Sequence, residues 1–406
     1  MEWPKNNISF ALIISALLIA GYGGEVRARE TIKFGCAISF TGKNNINGKR
    51  YVDSYNLAKE TINKKGGVKV GDKQYPIEII YYDDKSDAAE NKKLMEKLIR
   101  EDNVDFLLGP YSSEITLSAA AVANEYKVPM VQGGGASRDI FNEKNKYVFG
   151  LLPPADQYFQ TTLEMMTTFH PKPERIAVIF EDDLFHTQVA EGAKKTAKAI
   201  GLNISMYDKI LSSSSDFSGI LEKIKPISPD VLLISCHTAS SVSLIQEVRK
   251  QDVGLKMISM TVVASETGFK EALGQDSEYF FCVSSWSSGI NFRGVIFKDT
   301  NGFIDMFKKT YGYDPDYHNA SAVAVLSTFT HAIENAGSCD SETVRDAIAG
   351  TDGLETVYGI VTFRPDGQIK GGNLVLQVQD GKLHQVYPKS IKVPVYPIPN
   401  WKNPQQ

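Results

Sequence analysis

Two short turns carry the residues best able to hold a small molecule. Gly109-Pro110-Tyr111-Ser112-Ser113 follows an apolar run, Val104 to Leu108, and a second run, Pro129 to Val131, empties into Gly133-Gly134-Gly135-Ala136-Ser137. Glycine lets backbone N–H groups approach a ligand closely and serine adds hydroxyls, a combination suited to carboxylate-like oxygens. Glu114 then opens an alanine-rich helix as helix N-termini prefer, and the positive end of that helix adds to the attraction for an anion. Side-by-side parallel strands would bring both turns to one sheet edge, where open α/β sheets bind their ligands.

Chemistry performed on that ligand has no comparable support. In GKNNINGKR five residues separate Gly42 from Gly48, and Arg50 stands where a phosphate-binding loop needs a hydroxyl. The Gly133–Ser137 run lacks the third glycine of a dinucleotide fingerprint and comes too late in the chain. There is neither a G-x-S-x-G elbow nor H-E-x-x-H, and the histidines at 170, 186, 237, 318, 331 and 384 form no pair at ligand spacing. No catalytic residue, metal or cofactor is expected, so the chain reads as a binding protein and not an enzyme.

The elements that must position the turns alternate from Glu30 onward. Strand-like Thr31 to Phe40 precedes helix-like Gly48 to Lys64, strand Tyr75 to Tyr82 and helix Ala88 to Glu101, a βαβ rhythm that predicts a doubly wound parallel sheet. Proline-interrupted YVFGLLPPADQY at Tyr147 to Tyr158 reads as a crossover. A second α/β series then runs from Arg175 to Ser285. Serine-rich SSWSSG and the region near Val357 to Phe363 read as two more crossovers, the latter leading into hairpin signals with Asp-Gly turns. The expectation is an α/β protein of two doubly wound parallel-sheet lobes on a three-segment hinge. Lobe 1 takes residues 29–150 plus 287–357, and lobe 2 takes 151–286 plus 358–406.

Length agrees, since 406 residues exceed what one core comfortably serves. With 44 Lys and Arg against 48 Asp and Glu the net charge is −4, which offers no basic field to nucleic acid. Lys5, the apolar stretch Ile8 to Ala20 and Val26-Arg27-Ala28 predict a signal peptide cleaved after Ala28 and a periplasmic destination. Tyr22 follows Leu18-Ile19-Ala20-Gly21 where a lipid-bearing cysteine would stand, so no lipid anchor is expected. Cys36, Cys236 and Cys282 lie in apolar strand-like runs and read as buried thiols, whereas Cys339 in AGSCDSE reads as exposed.

Taken jointly, FGCAISFTGKNNINGKRYVDSYNLAKETINKKGGV, YYDDKSDAAENKKLMEKLIREDNVDFLLGP, GGGASRDIF, FKKTYGYDPD and AIENAGSCDSETVRDAI resemble the type I periplasmic binding proteins, specifically the branched-chain amino acid (leucine/isoleucine/valine) group that serves ABC importers. The resemblance spans essentially the mature chain. It implies a monomer whose lobes close over a small carboxylate or amino acid and present it to an inner-membrane ABC permease. It places the carboxylate pocket on Ser113, Gly135, Ala136 and Ser137, with Ser112 beside them. Removing the Ser137 hydroxyl would then weaken binding by roughly 1.5–3 kcal/mol. From lobe 2 it aligns Phe185 and His237 with aromatic positions, and Trp286 at the crossover is a further candidate. No carboxylate stands at 261–264, where the family places the partner of the ligand's ammonium; Glu266 comes a few residues late. An aromatic or aliphatic acid or an amide therefore stands beside amino acids as the expected ligand. A ligand-sensing module, amide-type or receptor-type, is the alternative role on the same fold.

Overall fold

Five parallel strands build the first sheet of the computed structural model, which describes residues 29–142, 144–212, 216–251 and 253–399; the signal peptide and its cleavage site lie outside them. In space they run Ile77–Asp83, Ile32–Ile38, Phe106–Leu108, Met130–Gln132, Val148–Gly150, which is chain order 2-1-3-4-5. Inner strands Phe106–Leu108 and Met130–Gln132, and edge strand Val148–Gly150 as well, are buried at every residue because helices cover both faces, so they show no alternation. Val148–Gly150 lies inside the segment expected to be a crossover. At three residues it is too short to show a period, and its pairing with Met130–Gln132 makes it a strand.

The second sheet repeats the plan. Ile204–Ile210, Ile176–Glu181, Val231–Ser235, Met257–Met260 and Phe281–Ser284 stand parallel in that order, again 2-1-3-4-5, and Leu374–Gln379 and Lys382–Tyr387 extend the edge antiparallel. In each sheet the strand order reverses between the first and third strands. That leaves a crevice outside their carboxyl ends. The loops there are Gly109–Ser113 on the first sheet, and Glu181–Asp183 with Cys236–His237 on the second.

Between Phe281–Ser284 and Leu374–Gln379 the chain returns to the first lobe. Helix Tyr317–Ala336 is buried along nearly its whole length and packs on helix Asn45–Lys64, where Asn319 Nδ2 donates to Arg50 O (2.9 Å) and Ser54 Oγ (3.0 Å). Helix Thr300–Tyr311 docks alongside, Tyr311 OH donating to Asp53 O at 2.6 Å. The third crossover clings to the first sheet first: Ile369 N donates to Gly150 O (2.8 Å) and Gln368 Nε2 to Leu152 O (3.1 Å), before Leu374 enters the second sheet. Cys36, Cys236 and Cys282 are buried in or at the end of their strands, whereas Cys339 is half-buried, not exposed.

Candidate solute-binding cleft

The cleft between the sheets' carboxyl ends encloses about 720 Å³, its open mouth included. Ser112, Ser113, Gly134 and Ala136 form the first-lobe wall. Ser113 Oγ accepts from Ala136 N (3.1 Å) and Ser137 N (3.3 Å), which stitches the two turns together. A residue the sequence did not single out organises the glycine turn. Fully buried Gln132 accepts from Gly134 N (2.9 Å) and Gly135 N (2.7 Å) on its Oε1 and donates from Nε2 to Gly135 O (2.8 Å).

Two of the expected carboxylate contacts are therefore displaced. Gly135 spends its amide on Gln132 and does not line the cleft. Ser137 is 0% exposed, and its Oγ accepts from Asp139 N (3.1 Å) as the cap of a 3-10 turn, so the hydroxyl expected to meet a ligand serves the backbone. At Gly134 the two turns approach each other closely, since a Cβ there would sit 2.1 Å from Pro110 O. Gly134→Ala should cost about 1–3 kcal/mol by overpacking and weaken solute binding. Wild-type melting temperature and affinity in that variant would show the close approach to be irrelevant.

The second-lobe wall carries rings and charge. Phe185 lines the cleft and meets buried Tyr158 edge-on at 5.0 Å, with Tyr111 and Tyr317 contributing from the first lobe. Burial, aided by Glu266, pushes the Tyr111 phenol up, so it stays a neutral donor. His237 lines the cleft and its Nδ1 lies 2.5 Å from Glu181 Oε2. Burial works against protonating His237, but the hydrogen bond and charge of Glu181, with Asp183, outweigh it and raise the imidazole. Trp286 stands elsewhere: its Nε1 donates to Val357 O (3.0 Å), and it lines a separate cavity between the second and third crossovers. Hinge packing claims that ring.

The acid missing from 261–264 reaches the cleft by another route. Val262–Ser265 forms a 3-10 turn after the Met257–Met260 strand, and this winds Glu266 back into the wall, where it is 8% exposed. Glu266 Oε2 accepts from Thr238 Oγ1 (2.7 Å) and lies 3.8 Å from Arg50 Nη1 of the first lobe. Arg50 is shared, since it also pairs with buried Asp316. Asn44 Nδ2, Asn47 Oδ1 and Thr261 Oγ1 are buried cleft atoms that have no hydrogen-bond partner among the described residues. Native proteins rarely leave such atoms unpaired, so they call for a solute or water.

Histidines that share no ligand spacing in the sequence do meet in space. His186 and His237 have ring centroids 4.6 Å apart, and ligand atoms of Glu181, Asp183, His186 and His237 all lie within 4.8 Å of one another. Adjacent strand ends bring His237 to Glu181, and the turn after Glu181 places Asp183 and His186 beside them, so residues with no common spacing in the sequence are neighbours in space.

A family profile described as "Periplasmic binding protein" matches residues 31–382. Leu/Ile/Val-binding protein homolog 7 of Brucella suis biovar 1 (strain 1330) is 25% identical over 412 residues, covering 96% of this chain and 98% of its own. Among solved structures, a leucine-binding protein of Thermotoga maritima MSB8 superposes with a TM-score of 0.77 at 18% identity, covering 87% of this chain and 97% of its own. An ABC transporter solute-binding protein of R. palustris in complex with benzoate gives 0.75 at 16%, covering 88% and 95%. The chain belongs to the periplasmic binding protein family, with the type I fold. Such proteins bind a solute and do not transform it. Among the described residues no helix is long and apolar enough to cross a membrane.

Proposed function

We propose that this protein, exported as a monomer to the periplasm, captures a small carboxylate-bearing solute in the cleft and delivers it to an ABC permease. The lobes would be residues 29–150 plus 287–357 and 151–286 plus 358–406, and a solute touching both favours the closed arrangement. A branched-chain or aromatic α-amino acid fits best. The observation that carries this reading is the polarity of the walls: hydroxyls and the Ala136 turn on one side, Glu266 on the other, rings between them. Relatives support it, one named as a Leu/Ile/Val-binding protein homolog. A branched-chain amino acid transporter substrate-binding protein of Streptococcus pneumoniae, solved in complex with isoleucine, shares the fold at a TM-score of 0.75.

An aromatic acid without an amino group is the second reading, favoured by Arg50, which already compensates Glu266. Titration calorimetry against leucine, isoleucine, phenylalanine and benzoate separates the two. Glu266→Gln should weaken amino acid binding by about ten- to a hundredfold, the worth of one charged hydrogen bond, and leave benzoate untouched. Equal loss for both ligands would remove Glu266 as the ammonium partner. Heat from none of the four, with scattering profiles unchanged by them, would overturn the reading.

A further inference from the structure

We infer that Glu181, Asp183, His186 and His237 form a site for a divalent transition-metal ion of the zinc class in the second-lobe wall of the cleft. Zinc takes imidazole nitrogen and carboxylate oxygen at about 2.0–2.2 Å, which sets tetrahedral donors roughly 3.3 Å apart. The donors here are gathered within 4.8 Å of one another, two pairs being drawn closer than that spacing by hydrogen bonds: His186 Nδ1 to Asp183 Oδ2 is 2.6 Å, His237 Nδ1 to Glu181 Oε2 is 2.5 Å, and His237 Nδ1 to Asp183 Oδ2 is 3.6 Å. An ion would replace the protons shared in those two hydrogen bonds, and small side-chain rotations would then widen the set around it.

Backbone groups hold the carboxylates from behind. Asp183 Oδ1 accepts from His186 N (2.9 Å) as the cap of helix Leu184–Ala199, and Glu181 Oε1 accepts from His237 N (3.3 Å). Such outer partners fix ligand orientation in metal sites. Two carboxylates against two neutral imidazoles leave a double negative charge, which balances a dication, and Glu181 is only 1% exposed. Mixed nitrogen and oxygen donors select zinc-like ions over calcium or magnesium, which prefer oxygen alone. Asp183, His186 and His237 line the cleft, so the ion would border the solute, and a solute carboxylate could add a fifth ligand to the four protein donors.

The site needs no solute, so it is tested apart from the transport reading. Protein stripped with EDTA and titrated with Zn²⁺ in the calorimeter should take up one equivalent, and Co²⁺ in its place should give tetrahedral visible bands. The doubly substituted His186→Ala/His237→Ala protein, shown folded by circular dichroism, should lose both signals, whereas His331→Ala keeps them. X-ray absorption at the zinc edge of the unaltered protein should count two imidazoles, a readout that does not depend on any variant folding. Absence of uptake, uptake that survives the double substitution, or fewer than two imidazoles overturns the proposal.

Discussion

Asp316→Ala should lower the unfolding free energy by about 3–5 kcal/mol, the usual result of stripping one partner from a buried ion pair. Asp316 is 3% exposed, pairs with Arg50, accepts from His318 N (2.9 Å), and caps helix Tyr317–Ala336 in a reciprocal box with Asn319. Burial alone would raise its pKa, but His318 and Arg50 outweigh that and hold the carboxyl below the ordinary range. A depressed folded-state pKa stabilises the native state fully above the unfolded value of about 3.9 and loses that contribution as pH falls through the lower folded value. Urea unfolding from pH 6 downward should therefore show wild type losing stability through the acid range. Asp316→Asn starts lower and responds less to pH. Parallel pH curves for the two proteins would reject the role given to this charge.

Gln132→Met, nearly isosteric, should cost about 2–6 kcal/mol, because each of two buried N–H groups left without an acceptor costs about 1–3 kcal/mol. Those groups belong to Gly134 and Gly135, and the freed Gly135 carbonyl loses its donor as well. Since the turn they shape carries Ala136 into the cleft, solute affinity should fall together with stability. Denaturant unfolding and calorimetry on one preparation measure both. Full affinity in a destabilised variant would mean that Gln132 supports the sheet and not the site.

Much of the architecture was legible because α/β alternation leaves periodic traces: helix Ala88–Arg100 falls where the pattern put it to within one residue, and helix Asn45–Lys64 begins only three residues early. The turns at Ser113 and Ala136 were legible through their composition. What the chain concealed was direction. Gln132 reads as the last residue of an apolar strand, and nothing local says its amide folds over the next three residues. Ser137 has the right chemistry but points into the body, because the 3-10 turn after it needs a cap, and Gly135 gives its amide to Gln132. Glu266 looked late only because the position was counted along an extended chain; a 3-10 turn advances about 2.0 Å per residue and returns the chain toward its start. Glu181 and His237 are 56 positions apart, so only the pairing of two strands reveals them as neighbours.

Arg50 stands between an acid of its own lobe and one of the other, and on the proposed opening of the lobes this asymmetry would favour release. Were the halves to part, the guanidinium would keep Asp316 while Glu266 would meet water, so neither would be stranded in a dry interior. Unlatching would thereby be cheap, and a ligand of modest affinity would suffice to bias the balance. In the proposed transport role, such a carrier would surrender its cargo to a second protein without that protein having to break a costly bond.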